Sequence, residues 1–129
     1  MNMLIIEDNT IRISMFKEWL DILNINYTIE YKHDKLIKLL SNNFYTHILW
    51  DHDLGVNMND KEVSSVDIIK ELIKNNSIDK LKTAEHIIHS MNPIGAKNLY
   101  NYLKDITNNV TINAYNTIYS TWISNLRKG

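Results

Sequence analysis

The chain of 129 residues contains no cysteine. That excludes disulfides and thiolate zinc sites and agrees with a cytoplasmic location, which we expect. Net charge is almost absent as well, −1 at pH 7. No global field is available to hold a polyanion, so neither an extended nucleic-acid surface nor a membrane is expected as a partner. No apolar run approaches the roughly 20 residues that cross a bilayer. Met1 to Ile6 is too short for a signal peptide and leads straight into acids. Internal repeats, low-complexity tracts and linkers are missing too. The remaining composition, 44% hydrophobic and 22% charged, suits one domain over residues 1–129 with one core.

What is present is an alternation of strand and helix patterns. Met3 to Ile6 is a short apolar run that stops at Glu7 and Asp8. Thr10 is expected to cap a helix whose inner face is Met15, Phe16, Trp19, Leu20 and Leu23. Tyr27, Ile29 and Tyr31 alternate as a half-exposed strand, and Asp34 is expected to cap a short helix with Leu36, Ile37, Leu39 and Leu40 inward. Ile48 to Trp50 form the third strand. A polar loop from Val56 to Glu62, long enough to move over a site, leads to a helix starting at Ser64 or Ser65. Glu85 to His89 is the fourth strand. The single proline, Pro93, fits a first helical position with Asn92 as its cap. Val110 to Ala114 is the fifth strand, and Ile118, Trp122, Ile123 and Leu126 close the chain in a helix.

Five strand–helix pairs call for a parallel sheet covered by helices on both faces. Right-handed crossovers leave few arrangements, and the flavodoxin-like order 2-1-3-4-5 leads among them. The fold class expected is therefore an α/β three-layer (βα)5 sandwich. In that order strands one, three and four lie together, and ligands bind at the carboxyl ends of such strands.

Those ends carry Glu7 and Asp8, then Asp51, His52 and Asp53, then His89, Ser90 and Asn92. Converging carboxylates suit a hard divalent cation, Mg²⁺ or Mn²⁺ first, while the two histidines leave Zn²⁺ or Ni²⁺ open. Arg12 and the amides that open the Pro93 helix offer contacts for a phosphate. Each residue also has an ordinary reading. Asp8 favours the positive end of a helix, His89 fits a structural histidine, Asn92 is a cap in any case, and Arg12 suits a solvated helix face. His33, His47 and His86 show no clustering and read as ordinary surface or strand residues.

Leu4-Ile5-Ile6-Glu7-Asp8-Asn9 resembles the first strand of response-regulator receiver domains, Asp51 lies where their phosphoacceptor aspartate stands, and Ser90 where their strand-four Ser/Thr stands. The chain is closer still to a divergent branch, the cyclic-phosphate-processing receiver domains. The shared features are Glu7, Asp8 and Arg12, the D-H-D-L-G run from Asp51 to Gly55, and H-S-x-N-x-x-G at His89, Ser90, Asn92 and Gly95. Two departures stand out. No lysine occurs in Asn113-Ala114-Tyr115-Asn116, where a receiver pairs a lysine with the phosphoryl group. Ser64-Ser65-Val66-Asp67 stands where the branch has a glycine before the helix.

The resemblance implies a metal-dependent phosphoesterase acting on a cyclic nucleotide or an RNA-end cyclic phosphate, in nucleotide signalling, RNA repair or conflict systems. Removal of a cyclic nucleotide immune messenger fits the same chemistry. In this reading Glu7, Asp8 and Asp51 hold the metal, and Asp53 orients or shares it. His89, and second His52, move the proton, while Arg12, Ser90 and Asn92 hold substrate. A phosphoacceptor receiver and a module that sequesters a cyclic nucleotide without cleaving it are the alternatives. The sequence leaves the oligomeric state open.

Overall fold

The computed structural model describes residues 1–56 and 62–126. Five parallel strands form the central sheet: β1 (Asn2–Ile6), β2 (Asn26–Glu30), β3 (His47–Trp50), and, further along the chain, β6 (Glu85–Ile88) and β7 (Val110–Ile112). Between them in sequence, β4 (Asp53–Val56) and β5 (Glu62–Ser64) pair as a separate antiparallel ribbon. The sheet order is β2-β1-β3-β6-β7, the flavodoxin-like order expected for five units. Five helices connect the strands: α1 (Thr10–Ile22), α2 (His33–Asn42), α3 (Ser65–Lys74), α4 (Pro93–Lys104) and α5 (Tyr115–Thr121).

β1 shows why the strand patterns read as unbroken apolar runs. Met3 to Ile6 are all fully buried, because a central strand has helices on both faces. Successive side chains then feed opposite cores. Leu4 and Ile6 join Ile48, Trp50 and Ile88 against Leu36 and Leu40 of α2, Ile69 and Leu72 of α3, and Leu99 and Leu103 of α4. Met3 and Ile5 join Leu49 and Ile87 against Phe16 and Leu20 of α1 and Ile118 of α5. Helices α1 and α3 end in left-handed residues supplied by asparagine, Asn24 and Asn76, each at φ 54°.

Several boundaries differ from the sequence expectation. Asn9, not Thr10, caps α1, its side chain accepting the Arg12 N–H at 3.0 Å. Asp34 lies inside the first turn of α2, where it complements the helix dipole without capping. The last helix stops at Thr121, and Trp122 leads into a 3-10 turn over Ile123–Asn125. The β4–β5 ribbon was not expected, because Asp53-Leu54-Gly55-Val56 carries too little apolar pattern to read as a strand. Of the expected mobile loop, residues 57–61 lie outside the described residues. Among those described, no helix is long and apolar enough to cross a membrane.

Candidate metal and phosphate site

The carboxyl edge of the sheet gathers the acids at the ends of β1 and β3. Glu7 is fully buried. Its Oε1 accepts Arg12 Nε–H at 2.9 Å, and its Oε2 accepts Arg12 Nη2–H at 3.2 Å and the N–H groups of Asp8 and Asn9 at 3.1 Å each. The glutamate thus closes the β1–α1 turn and fixes Arg12 one turn into α1. Arg12 also lies 3.6 Å from Asp51 Oδ2 through Nη2, and its guanidinium stands 5.6 Å from the centre of the Tyr115 ring.

Asp51 is 4% exposed. Its Oδ1 accepts the His52 N–H at 2.9 Å, and its Oδ2 has no hydrogen-bond partner among the described residues. Burial, and then the neighbouring Glu7, push its carboxyl up to about 8. Asp8, partly buried, is shifted upward by burial and by Glu7. Glu7, Asp8 and Asp51 each offer one oxygen, all within 4.8 Å of one another. With three carboxyl groups against one guanidinium, ionising all of them is costly, and a hard divalent cation with oxygen ligands would offset that cost. The orphaned Asp51 Oδ2 and the oxygen-only donor set fit Mg²⁺ or Mn²⁺. Glu7 spends hydrogen-bonding capacity of both oxygens on Arg12 and two amides, so Asp8 and Asp51 are the less committed ligands.

The structure buries one of the two candidate histidines and leaves the other partly exposed. His89, expected to be the first proton-transferring group, has 1% of its side chain exposed. It lies edge-on to Phe16 with ring centres 5.2 Å apart, and neither ring nitrogen has a hydrogen-bond partner among the described residues. Its Nδ1 is 3.7 Å from Glu7 Oε1. Burial holds its pKa down at about 4, against the pull of Glu7, so it is neutral near pH 7. A ring so enclosed is closed off from solvent.

His52, expected second, reaches the surface because the chain bends directly after β3. The bend is held from α3: Ser65 N–H donates to His52 C=O at 2.9 Å, and Ser65 Oγ–H donates to Asp51 C=O. Ser65 is fully buried, while Ser64 and Asp67 form the capping box that starts α3. The serine pair standing where the branch carries glycine therefore ties α3 to the Asp51–His52 bend. His52 Nδ1 lies 2.8 Å from Asp53 Oδ1, and Asn92 Nδ2–H donates to Asp53 Oδ2 at 3.4 Å.

Ser90 is 4% exposed and accepts the Asn92 N–H at 3.1 Å. Asn92 caps α4, its Oδ1 taking the Gly95 N–H at 3.1 Å and its C=O the Ala96 N–H at 2.8 Å. Proline has no N–H to give. The expected anion cradle at the start of α4 is therefore small, with the Ile94 N–H its unpaired donor among the described residues. At the end of β7 the Asn113 side chain donates to Thr121 Oγ1 at 2.7 Å and accepts from Thr117 Oγ1 at 3.1 Å.

Sequence reasoning missed Ser65, Gly95 as a structural necessity, and Tyr115 behind Arg12. It also missed His86, which is fully buried between Trp50, whose Nε1–H donates to Nδ1 at 3.0 Å, and the Leu81 C=O at 2.7 Å from Nε2. A histidine inside an apolar strand was the available signal for the last of these.

A parallel sheet in this order with acids at the ends of β1 and β3 defines a receiver-type domain. Residues 4–105 match the family described as cyclic-phosphate processing receiver domain, and the chain belongs to that family. No curated protein sequence matches it. Solved structures of similar fold include response regulators. A Burkholderia pseudomallei response regulator with a phosphorylated aspartic acid, calcium ion and citrate aligns at TM-score 0.61 and 21% identity, covering 95% of this chain and 68% of that one. The receiver domain of Francisella response regulator 1452 aligns at 0.57 and 18%, covering 86% and 82%. The Thermotoga maritima regulator TrrA, in complex with Mg²⁺ and BeF, aligns at 0.55 and 15%, covering 90% and 89%. At these identities the likeness is one of fold.

Proposed function

We propose that the chain is a metal-dependent phosphoesterase that opens a cyclic phosphate on a nucleotide or an RNA end. The observation that carries this reading is the His52–Asp53 pair, 2.8 Å apart, at a bend that begins at the acid-lined end of β3. A phosphoacceptor needs the acids but has no use for an imidazole held by a carboxylate.

A divalent cation, when bound, acidifies a water and polarises a phosphoryl oxygen. Asp8 and Asp51 would hold it, with Glu7 closing the same group of oxygens. Glu7 also locks Arg12, whose guanidinium then faces a nonbridging oxygen with no rotamer left to freeze. The Ser90 hydroxyl and the Ile94 N–H supply further donors. Water adds to phosphorus, the ring P–O bond breaks, and the proton released by the water returns to the leaving alkoxide. The product is a phosphomonoester with a free hydroxyl. His52 Nε2, the nitrogen not bonded to Asp53, carries that proton. On a cyclic nucleotide messenger the same step would end a signal.

The test is incubation with Mn²⁺ or Mg²⁺ and a panel of 2′,3′-cyclic mononucleotides and cyclic dinucleotides, with products read by mass. Cleavage should fall about a hundredfold to ten-thousandfold in His52→Ala while binding persists. Tight binding without cleavage under every divalent cation would favour the sequestering module.

A second reading, a receiver phosphorylated on Asp51, is favoured by its unpartnered Oδ2. Acetyl phosphate and Mg²⁺ would then leave a lasting phosphoryl adduct in the intact mass, lost in Asp51→Asn. We expect none, since residues 113–116 hold no lysine to pair with it.

A further inference from the structure

We propose that Gly95 and Asn92 are positioning residues for His52, and that the first turn of α4 is a seat shaped to the imidazole. The inference rests on His52 as the proton-transferring group for its functional meaning, but its geometric content stands apart from that reading. A Cβ built on Gly95 would lie 2.5 Å from both Cγ and Nδ1 of His52. Both atoms belong to the rigid base of the ring, so the imidazole as a whole would have to leave. Gly95 has no positive φ that demands glycine, and inside a helix glycine is a poorer residue than alanine. What the glycine provides here is room for the ring.

Asn92 lines the same seat, its Nδ2 standing 2.9 Å from where that Cβ would lie. Its Oδ1 caps the Gly95 N–H at 3.1 Å, and its Nδ2–H reaches Asp53 Oδ2 at 3.4 Å. Asp53 in turn takes the His52 Nδ1–H at 2.8 Å. A carboxylate only accepts, so the proton sits on Nδ1 and leaves Nε2 as the working nitrogen. Asp53 is 66% exposed, and a polar contact so exposed holds a side chain only weakly. The orientation of His52 therefore depends on its contact with the bare backbone of Gly95. This assigns Asn92 to holding Asp53 and not to binding substrate.

The experiment uses the full chain labelled with ¹⁵N, reading the His52 ring nitrogens by long-range ¹H–¹⁵N correlation at fixed pH. His52→Gln identifies the signal. In wild type the His52 pattern should be that of a fixed Nδ1–H tautomer. In Gly95→Ala it should collapse to the averaged pattern of a free imidazole, with far-UV circular dichroism unchanged. Asn92→Ser, which keeps a capping oxygen but loses the reach to Asp53, should shift the pattern part of the way. Beside this, single-turnover cleavage of 2′,3′-cyclic AMP with Mn²⁺ should fall about a hundredfold in Gly95→Ala, with unchanged binding.

A His52 pattern unaltered in both variants overturns the proposal. If Gly95→Ala fails to fold, Asn92→Ser alone decides it by the same signal. If the ring signal moves as expected but wild type cleaves nothing, the seat stands and the hydrolase reading falls.

Discussion

Two histidines three residues apart on one strand and its end, His86 and His89, are equally buried and differently treated. His86 sits in the interior of the domain with both nitrogens bonded, one to the Trp50 indole and one to the Leu81 carbonyl. His89 stands at the carboxyl end of the strand with both nitrogens unpartnered among the described residues, and Asp51 Oδ2 at the end of β3 likewise lacks a hydrogen bond there. Buried polar groups are ordinarily paired. Where several are left unpaired at one place, each calls for an explanation, and an ion or a water is one. The interior of this domain is closed for stability, and its carboxyl edge is left electrostatically incomplete.

The strongest way to sharpen that contrast is to damage the closed region. His86→Ala removes a fully buried ring and orphans the Trp50 N–H, so it should cost about 3 kcal/mol. Urea unfolding of both proteins measures it. A loss as small as that of an exposed substitution would show that the pair is not satisfied as described.

The open edge should respond to pH in its own direction. Asp51 has a folded pKa near 8, above that of the unfolded chain, so its contribution is present at low pH and lost as pH rises toward 8. His89 and His86, lowered by burial, act oppositely, and their stabilisation is lost as pH falls below the unfolded value of 6.5. Between pH 4 and 6.5 these trends oppose one another. Between 6.5 and 8 Asp51 acts with little opposition from the histidines, and the metal-free protein should lose on the order of 2 kcal/mol. Thermal melts across that window should show the slope, Asp51→Asn should flatten it, and millimolar Mn²⁺ should reverse it in wild type only. An equal slope in Asp51→Asn would remove Asp51 as its source.

The smallest effect concerns the join between the two regions. Ser65→Ala deletes the hydroxyl that holds the Asp51 carbonyl, which should cost about 1 kcal/mol. A chemical denaturation curve reads that loss, and cleavage should fall with it if the bend positions His52. Full stability in Ser65→Ala would mean that the Ser65 N–H alone holds the bend.

Much of the architecture was legible because it depends on local pattern. Unbroken apolar runs such as Met3–Ile6 alternating with amphipathic helices force a parallel sheet, and the rule of right-handed crossovers orders it. Because polar residues stop each strand at its carboxyl end, Glu7, Asp8, Asp51 and Ser90 could be placed on one edge from sequence. Asn92-Pro93 announced the start of α4 for a local reason too, since a cap and its helix are neighbours in the chain.

What each side chain does at that edge was not local. Burial of His89 is imposed by Phe16 of α1, and the outward turn of His52 by Ser65, 14 residues beyond Asp51. The structural role of His86 comes from Trp50, 36 residues away. The need for glycine at position 95 comes from an imidazole on another element. The sequence by itself determined the order of the elements and which chemical groups meet at the carboxyl edge. Only tertiary packing decided which histidine faces out and which oxygen is left unpaired, because solvation and hydrogen-bond partners belong to neighbours that the linear pattern does not name.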